Sequence, residues 1–115
     1  MGAIIMAKAK IEMLISILKY IDIDYMSEEE CNSIYFLDVN NTEQQKQIIR
    51  TIIVPGFKEL NNTSQERLKE VLKLCLQDME SVNVIFERVS MPFENDIEDK
   101  KAFLENIYEE LFGKL

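Results

Sequence analysis

Histidine is missing from this chain altogether, and tryptophan with it. The first absence removes the commonest general base, the Ser-His-Asp and Cys-His arrangements, the commonest zinc ligand and the Glu-x-x-His motif of di-iron bundles. With only three glycines, the chain has no glycine-rich phosphate loop. Its two cysteines, Cys31 and Cys75, stand far apart and form no CxxC pair. The expectation is two buried free thiols in a reducing compartment. Glu28, Glu29 and Glu30 precede Cys31 and disfavour its thiolate. Lys8, Lys10, Glu12 and Lys19 interrupt the apolar stretch from Ala3 to Ile21, which therefore suits neither a membrane span nor a signal peptide. These absences lead to the expectation of a cytoplasmic protein that is not an enzyme and uses no cofactor and no metal.

What the chain has in excess is acid. Twenty-one acidic residues against thirteen basic ones give a net charge of −8. Nucleic-acid binders neutralise phosphates with Lys and Arg, so this balance argues against direct DNA or RNA binding and against an anionic membrane surface. It favours a basic protein partner, because complementary charge speeds encounter and rejects wrong partners. A hydrophobic content of 47% over 115 residues is that of one globular domain spanning 1–115.

The hydrophobic spacing predicts an all-α, single-domain bundle of about five helices. Ile4, Ala7, Ile11, Leu14, Leu18 and Ile21 mark one face of a first helix, and Met6, Met13, Ile17 and Tyr20 widen it into a central position. Ser27-Glu28-Glu29-Glu30 reads as a capping box, with Met26 and Cys31 as the hydrophobic staple of a second helix that ends near Asn40-Asn41. A third helix starts at Asn41 or Thr42 and should stop at Pro55-Gly56. Thr63-Ser64-Gln65-Glu66 reads as a second capping box. It opens one long helix through Leu68, Leu72, Cys75, Met79, Val82, Phe86 and Val89, with a kink expected near Ser81–Val84. Asn95-Asp96-Ile97-Glu98 is expected to cap the last helix and Gly113 to end it.

The charge is not evenly spread. Between Ile21 and Gln45 lie seven acids and no base, so this segment alone contributes −7 of the total. Asp22-Ile23-Asp24 looks like the start of a calcium loop, but the central glycine is missing and Ser33 stands where the bidentate Glu belongs. Capping explains Glu28 to Glu30 through the helix dipole. It does not explain Asp22, Asp24 and Asp38, and aromatic residues are interleaved among them. Acids set with aromatic anchors are what a cationic partner selects. The candidate partner-binding residues are therefore Asp22, Asp24, Tyr25, Glu28, Glu29, Glu30, Tyr35 and Asp38.

A small, acidic, helical chain without catalytic groups and with a concentrated negative segment resembles bacterial immunity proteins and antitoxins. That resemblance, one of composition and architecture, implies a protein that covers the active or nucleic-acid-binding surface of a basic toxin domain, for example a nuclease. The alternative is a structural or regulatory subunit assembling through apolar helix faces, suggested by the heptad spacing of the first helix and of Leu68 to Val89. A DNA-binding helix-turn-helix in the locally basic stretch from Lys46 to Lys73 lacks a compact recognition-helix pattern.

Overall fold

The computed structural model describes residues 11–93 and 95–114. Its elements are α1 (Ile15–Leu18), which continues as a single 3₁₀ turn (Lys19–Ile21), α2 (Glu28–Ile34), α3 (Thr42–Ile48), a π turn (Ile49–Ile53), α4 (Val54–Lys58), α5 (Asn62–Gln77), α6 (Met79–Phe86) and α7 (Lys100–Phe112). The fold is all-α, as the spacing predicts, and no strand occurs among the described residues. Among the same residues no helix is long and apolar enough to cross a membrane. The Ile4, Met6 and Ala7 part of the first helix lies outside the described residues. Where the stripe is described, Ile11, Leu14, Ile17, Leu18 and Ile21 are buried, but Met13 and Ile15 face water, so the buried face is narrower than expected.

Pro55 does not end the third helix. A proline inside a helix lacks its N–H and drives its ring against the carbonyl four residues earlier, here that of Thr51. The preceding turn widens instead: the Val54 amide donates to Ile49 O, a five-residue step, and the helical path continues through Pro55 and Gly56 to Lys58. The wide turn presents Ile49, Ile52 and Ile53 to the core and Arg50 to the surface. Helix α7 packs on it, on α3, on α4 and on α5. Arg50 closes the contact with a bidentate pair, Nε to Glu110 Oε2 at 2.9 Å and Nη2 to Glu110 Oε1 at 2.8 Å. On the other side Tyr20, from the 3₁₀ turn, packs against Gly56 and its hydroxyl donates to Gly56 O at 3.4 Å. A Cβ there would stand 2.6 Å from the tyrosine ring.

Four further element boundaries differ from the sequence expectation, each for a traceable reason. Helix α2 stops at Ile34 and not near Asn40, because Asp38 Oδ1 accepts the Asn40 amide while Gln44 Oε1 accepts the Asp38 amide. Such side-chain bonds offer the backbone an alternative to helix. Helix α5 is capped by Asn61, whose Oδ1 accepts the Ser64 amide at 2.8 Å, and not by Thr63. Gln65 instead turns its Nε2 back to the Leu60 and Phe57 carbonyls. The long helix breaks at Asp78, earlier than the expected kink. Asp78 leaves helical geometry, and its carboxylate takes both the Ser81 amide and the Ser81 hydroxyl. Leu68, Leu72, Cys75, Val82 and Phe86 nonetheless stay buried on both sides of the break. Finally, α7 is capped by Asp99, because Asp96 O and Glu98 N are already bonded to the Asn40 side chain. Gly113 ends α7 at φ +92°, with its amide on Glu109 O, as the spacing predicts.

Two consequences can be measured. Ala normally stabilises a helix over Gly by about 1 kcal/mol, but here the added methyl meets the Tyr20 ring. Gly56→Ala should therefore lower stability by about 1–3 kcal/mol in urea unfolding, and become neutral or stabilising in a Tyr20→Ala background. A gain in the wild-type background would show that the ring does not hold its place.

The second concerns pH. The Arg50 guanidinium holds the Glu110 carboxyl below its ordinary value of 4.5. A carboxylate depressed in the folded state stabilises above its unfolded value and loses that contribution as pH falls through the folded one. The urea midpoints of wild type and Glu110→Gln should accordingly differ by a constant amount above about pH 4.5 and converge on further acidification.

Candidate partner-binding surface around α2

Asp22 organises the entry to this surface. The 3₁₀ turn ends when Asp22 turns extended, and its carbonyl then accepts the Tyr25 and Met26 amides. Its carboxylate Oδ1 accepts the Asp24 amide at 2.9 Å. The side chain is only 5% exposed, so Asp22 lies beneath the surface that the other predicted residues share. Its role in the structure is to shape a turn. The Ile23 amide, donated to Ser90 O at 2.8 Å, fastens that turn to the segment after α6.

Helix α2 follows with the cap its sequence announces. The Glu30 amide donates to Ser27 Oγ at 3.1 Å and the Ser27 amide to Glu30 Oε1 at 3.0 Å, a complete capping box. Met26 and Cys31 close the staple with sulfurs 3.9 Å apart. Buried Ile34 points the helix into the core, which leaves Glu28, Glu29, Asn32, Ser33 and Tyr35 in water. Helical spacing places Glu28, Asn32 and Tyr35 on one exposed face. Over its seven residues α2 is about 10 Å long, with acids at its first turn and aromatics just past its last.

Those aromatics are the least expected part. Tyr25 is 72% exposed, Tyr35 54% and Phe36 66%, and no other aromatic among the described residues is exposed. Tyr35 and Phe36 meet edge to face at 6.0 Å between centroids. Ile23, two residues before Tyr25, is also exposed. Tyr25 and Glu30 line a cleft with Lys19 and Tyr20 before the helix. Tyr35, Phe36 and Asp38 line another beyond it. The exposed predicted residues thus gather at the two ends of α2, with Tyr25 and Glu30 beside Glu28 and Glu29 of the first turn, and Tyr35 and Asp38 past the last. Phe36, one of the aromatics interleaved with the acids, and Ile23 are exposed within the acidic segment but stand outside the predicted set.

The charges on this surface are little compensated. Among the described residues the ion pairs are Arg50–Glu110 and Arg88–Glu12, and neither involves the segment from Asp22 to Glu43. Glu30 and Asp38 each accept a local backbone amide. Among the described residues Lys19 lines the cleft that holds Glu30, and no Lys or Arg lines the cleft that holds Asp38. Among the described residues no group of three or more His, Cys, Asp or Glu side chains converges to hold a metal ion.

The two thiols differ in surroundings. Cys75 is fully buried between α5 and the core, and burial, with the Asp78 carboxylate adding to it, pushes its thiol up to about 12. Cys31 is half-buried. A thiolate-directed reagent at neutral pH should therefore label Cys31 in the native protein and reach Cys75 only on unfolding. Equal labelling of both in the native state would contradict the packing of α5. Comparison of the chain with protein-family models, with curated proteins and with solved structures finds no match.

Proposed function

We propose that this chain is a binding protein that captures a basic protein partner on the acidic, aromatic surface around α2. The mode of action we infer is that of an immunity protein or antitoxin: it covers the active or nucleic-acid-binding surface of a basic toxin domain such as a nuclease. The observation that carries the reading is the coincidence of two unfavourable features in one place. Large aromatics left in water forgo burial worth roughly 1.5–3 kcal/mol each. Crowded like charges repel one another, and a folded chain gains nothing by placing both in the same segment. A partner that covers Tyr25, Tyr35 and Phe36 and pairs with Asp24, Glu28 and Glu29 would relieve both costs.

Assembly through apolar helix faces finds less support. The residues that suggest it, Leu68, Leu72, Cys75, Val82 and Phe86, are used in the chain's own core. The locally basic stretch from Lys46 to Lys73 is interrupted where Arg50 is committed to Glu110, which leaves little to support a nucleic-acid reading.

The test is retention of a basic protein from the native lysate by wild-type bait beside Asp24→Lys, Glu29→Lys bait. Wild type should retain it at low salt and lose it at high salt, and the variant should not retain it. Toxic or nucleolytic activity of the captured protein should then fall when the chain is added back. Truncating Tyr25 or Phe36 to Ala should cost about 2 kcal/mol or more of binding, and a single rim charge about 0.2–1 kcal/mol. A partner held equally by both baits in high salt would overturn the assignment of this surface.

A further inference from the structure

Two clefts on the described surface meet at Phe93 and Asn95. The larger, about 520 Å³, extends past Asn83, Phe86 and Glu87 to Asp96 and Lys100. The smaller, about 230 Å³, extends from the same two residues to Tyr35, Phe36 and Asp38. Joined, they make a trough that begins beneath the exposed aromatic pair and ends at the start of α7. Among the described residues three carboxylates line it, those of Asp38, Glu87 and Asp96, against one ammonium group, that of Lys100.

That ammonium shows what the trough accommodates. Lys100 Nζ stands 5.9 Å from the centroid of the Phe86 ring and donates to Ile97 O at 3.4 Å. A cation over an aromatic face is attracted by the ring's negative centre. Phe93 borders both clefts and is only half-buried. Among the described residues its ring pairs with no aromatic or cation, whereas Phe86 faces Phe103 as well as Lys100.

We propose that this trough receives an arginine-bearing segment of the protein partner, with a guanidinium over Phe93 facing Asp96 and Glu87. The proposal rests on the reading of the partner as basic and adds a second contact region to the surface around α2. Arginine suits the site better than lysine because its planar group stacks on a ring while its edge donates in a fork to carboxylates and amide oxygens. Asn83 and Asn95, which line the larger cleft, each carry such an amide oxygen. A second copy of the chain, at net charge −8, is a poor occupant for a trough that already has a surplus of carboxylates.

The experiment follows backbone amide NMR shifts of the full chain titrated with acetylated, amidated hexa-arginine and, separately, hexa-lysine. Hexa-arginine should shift Phe86, Glu87, Phe93, Asn95, Asp96 and Lys100 saturably, and more tightly than hexa-lysine. Glu87→Gln and Asp96→Asn, both at exposed positions, should each weaken the response roughly threefold. Phe93→Leu should abolish the preference for arginine, and Lys100→Met should tighten binding by removing the internal competitor. Shifts confined to Asp24–Glu30 would overturn the trough and leave the acidic surface standing. An equal response to both peptides at the trough would overturn the assignment of arginine. No shift anywhere would overturn both the trough and the reading on which it rests.

Discussion

A proline within a helix must be accommodated, and the way this chain does so sets the position of everything packed around it. The bond that Pro55 cannot donate and the carbonyl its ring would strike are both relieved by one wide turn. Widening a helix splays its side chains. Here it turns three isoleucines inward and leaves Arg50 outside, so the same turn supplies the core and the ion pair to α7. Because the helix continues past the proline, Gly56 arrives where Tyr20 can lie against its backbone. The first helical segment and the last are thereby registered against the same short stretch of chain. The packing there tolerates little change, since interiors at this density respond to single methyl groups.

The candidate surface depends on that register indirectly. Tyr20 lies two residues before Asp22, whose backbone and carboxylate shape the turn into α2. From there the acids are arranged by local chemistry. The capping box holds Glu30, and the positive end of the helix dipole favours Glu28 and Glu29 beside it. Local stabilisation of this kind offsets part of the mutual repulsion, which is how a short helix carries three consecutive acids. It offers nothing to Asp24, Tyr25 or Phe36, and those residues give the surface its chemical character.

Legibility in the sequence followed how local each determinant is. The capping box at Ser27, the staple of Met26 with Cys31, the start of α3 at Asn41, whose Oδ1 accepts the Gln44 amide, and the glycine end at Gly113 are decided within a few residues and could be read directly. The buried stripe from Leu68 to Phe86 was also plain, because its spacing survives the break at Asp78. The break itself was hidden by that continuity, although Asp78 with Ser81 three residues on has the form of a cap. Pro55 misled because the rule that prolines stop helices has an exception that only the surrounding packing selects. The start of α7 was misplaced for a different reason: Asn95 to Glu98 looks like a cap, but a residue nearly sixty positions away had already claimed its backbone. Within the site, burial of Asp22 and exposure of Phe36 follow from the turn geometry after Ile21 and Ile34, which hydrophobic periodicity does not encode. The acidic segment itself needed no structure to be seen.

The side chain that claims it, Asn40, joins two loops that would otherwise be independent. Its Nδ2 donates to Asp96 O and its Oδ1 accepts from Glu98 N, so one amide replaces two rungs of a strand pair between the connection after α2 and the connection before α7. Gln45 extends the same seam, donating to Val39 O and accepting from Asn106. Loops on a protein surface ordinarily lose conformational freedom when a partner arrives, and that loss weakens binding. In this chain much of it is already lost at folding, because each connection serves as the other's template. The connection after α2 and the connection before α7 are in this sense one unit, and substituting Asn40 would return them to separate motion without touching a single exposed charge.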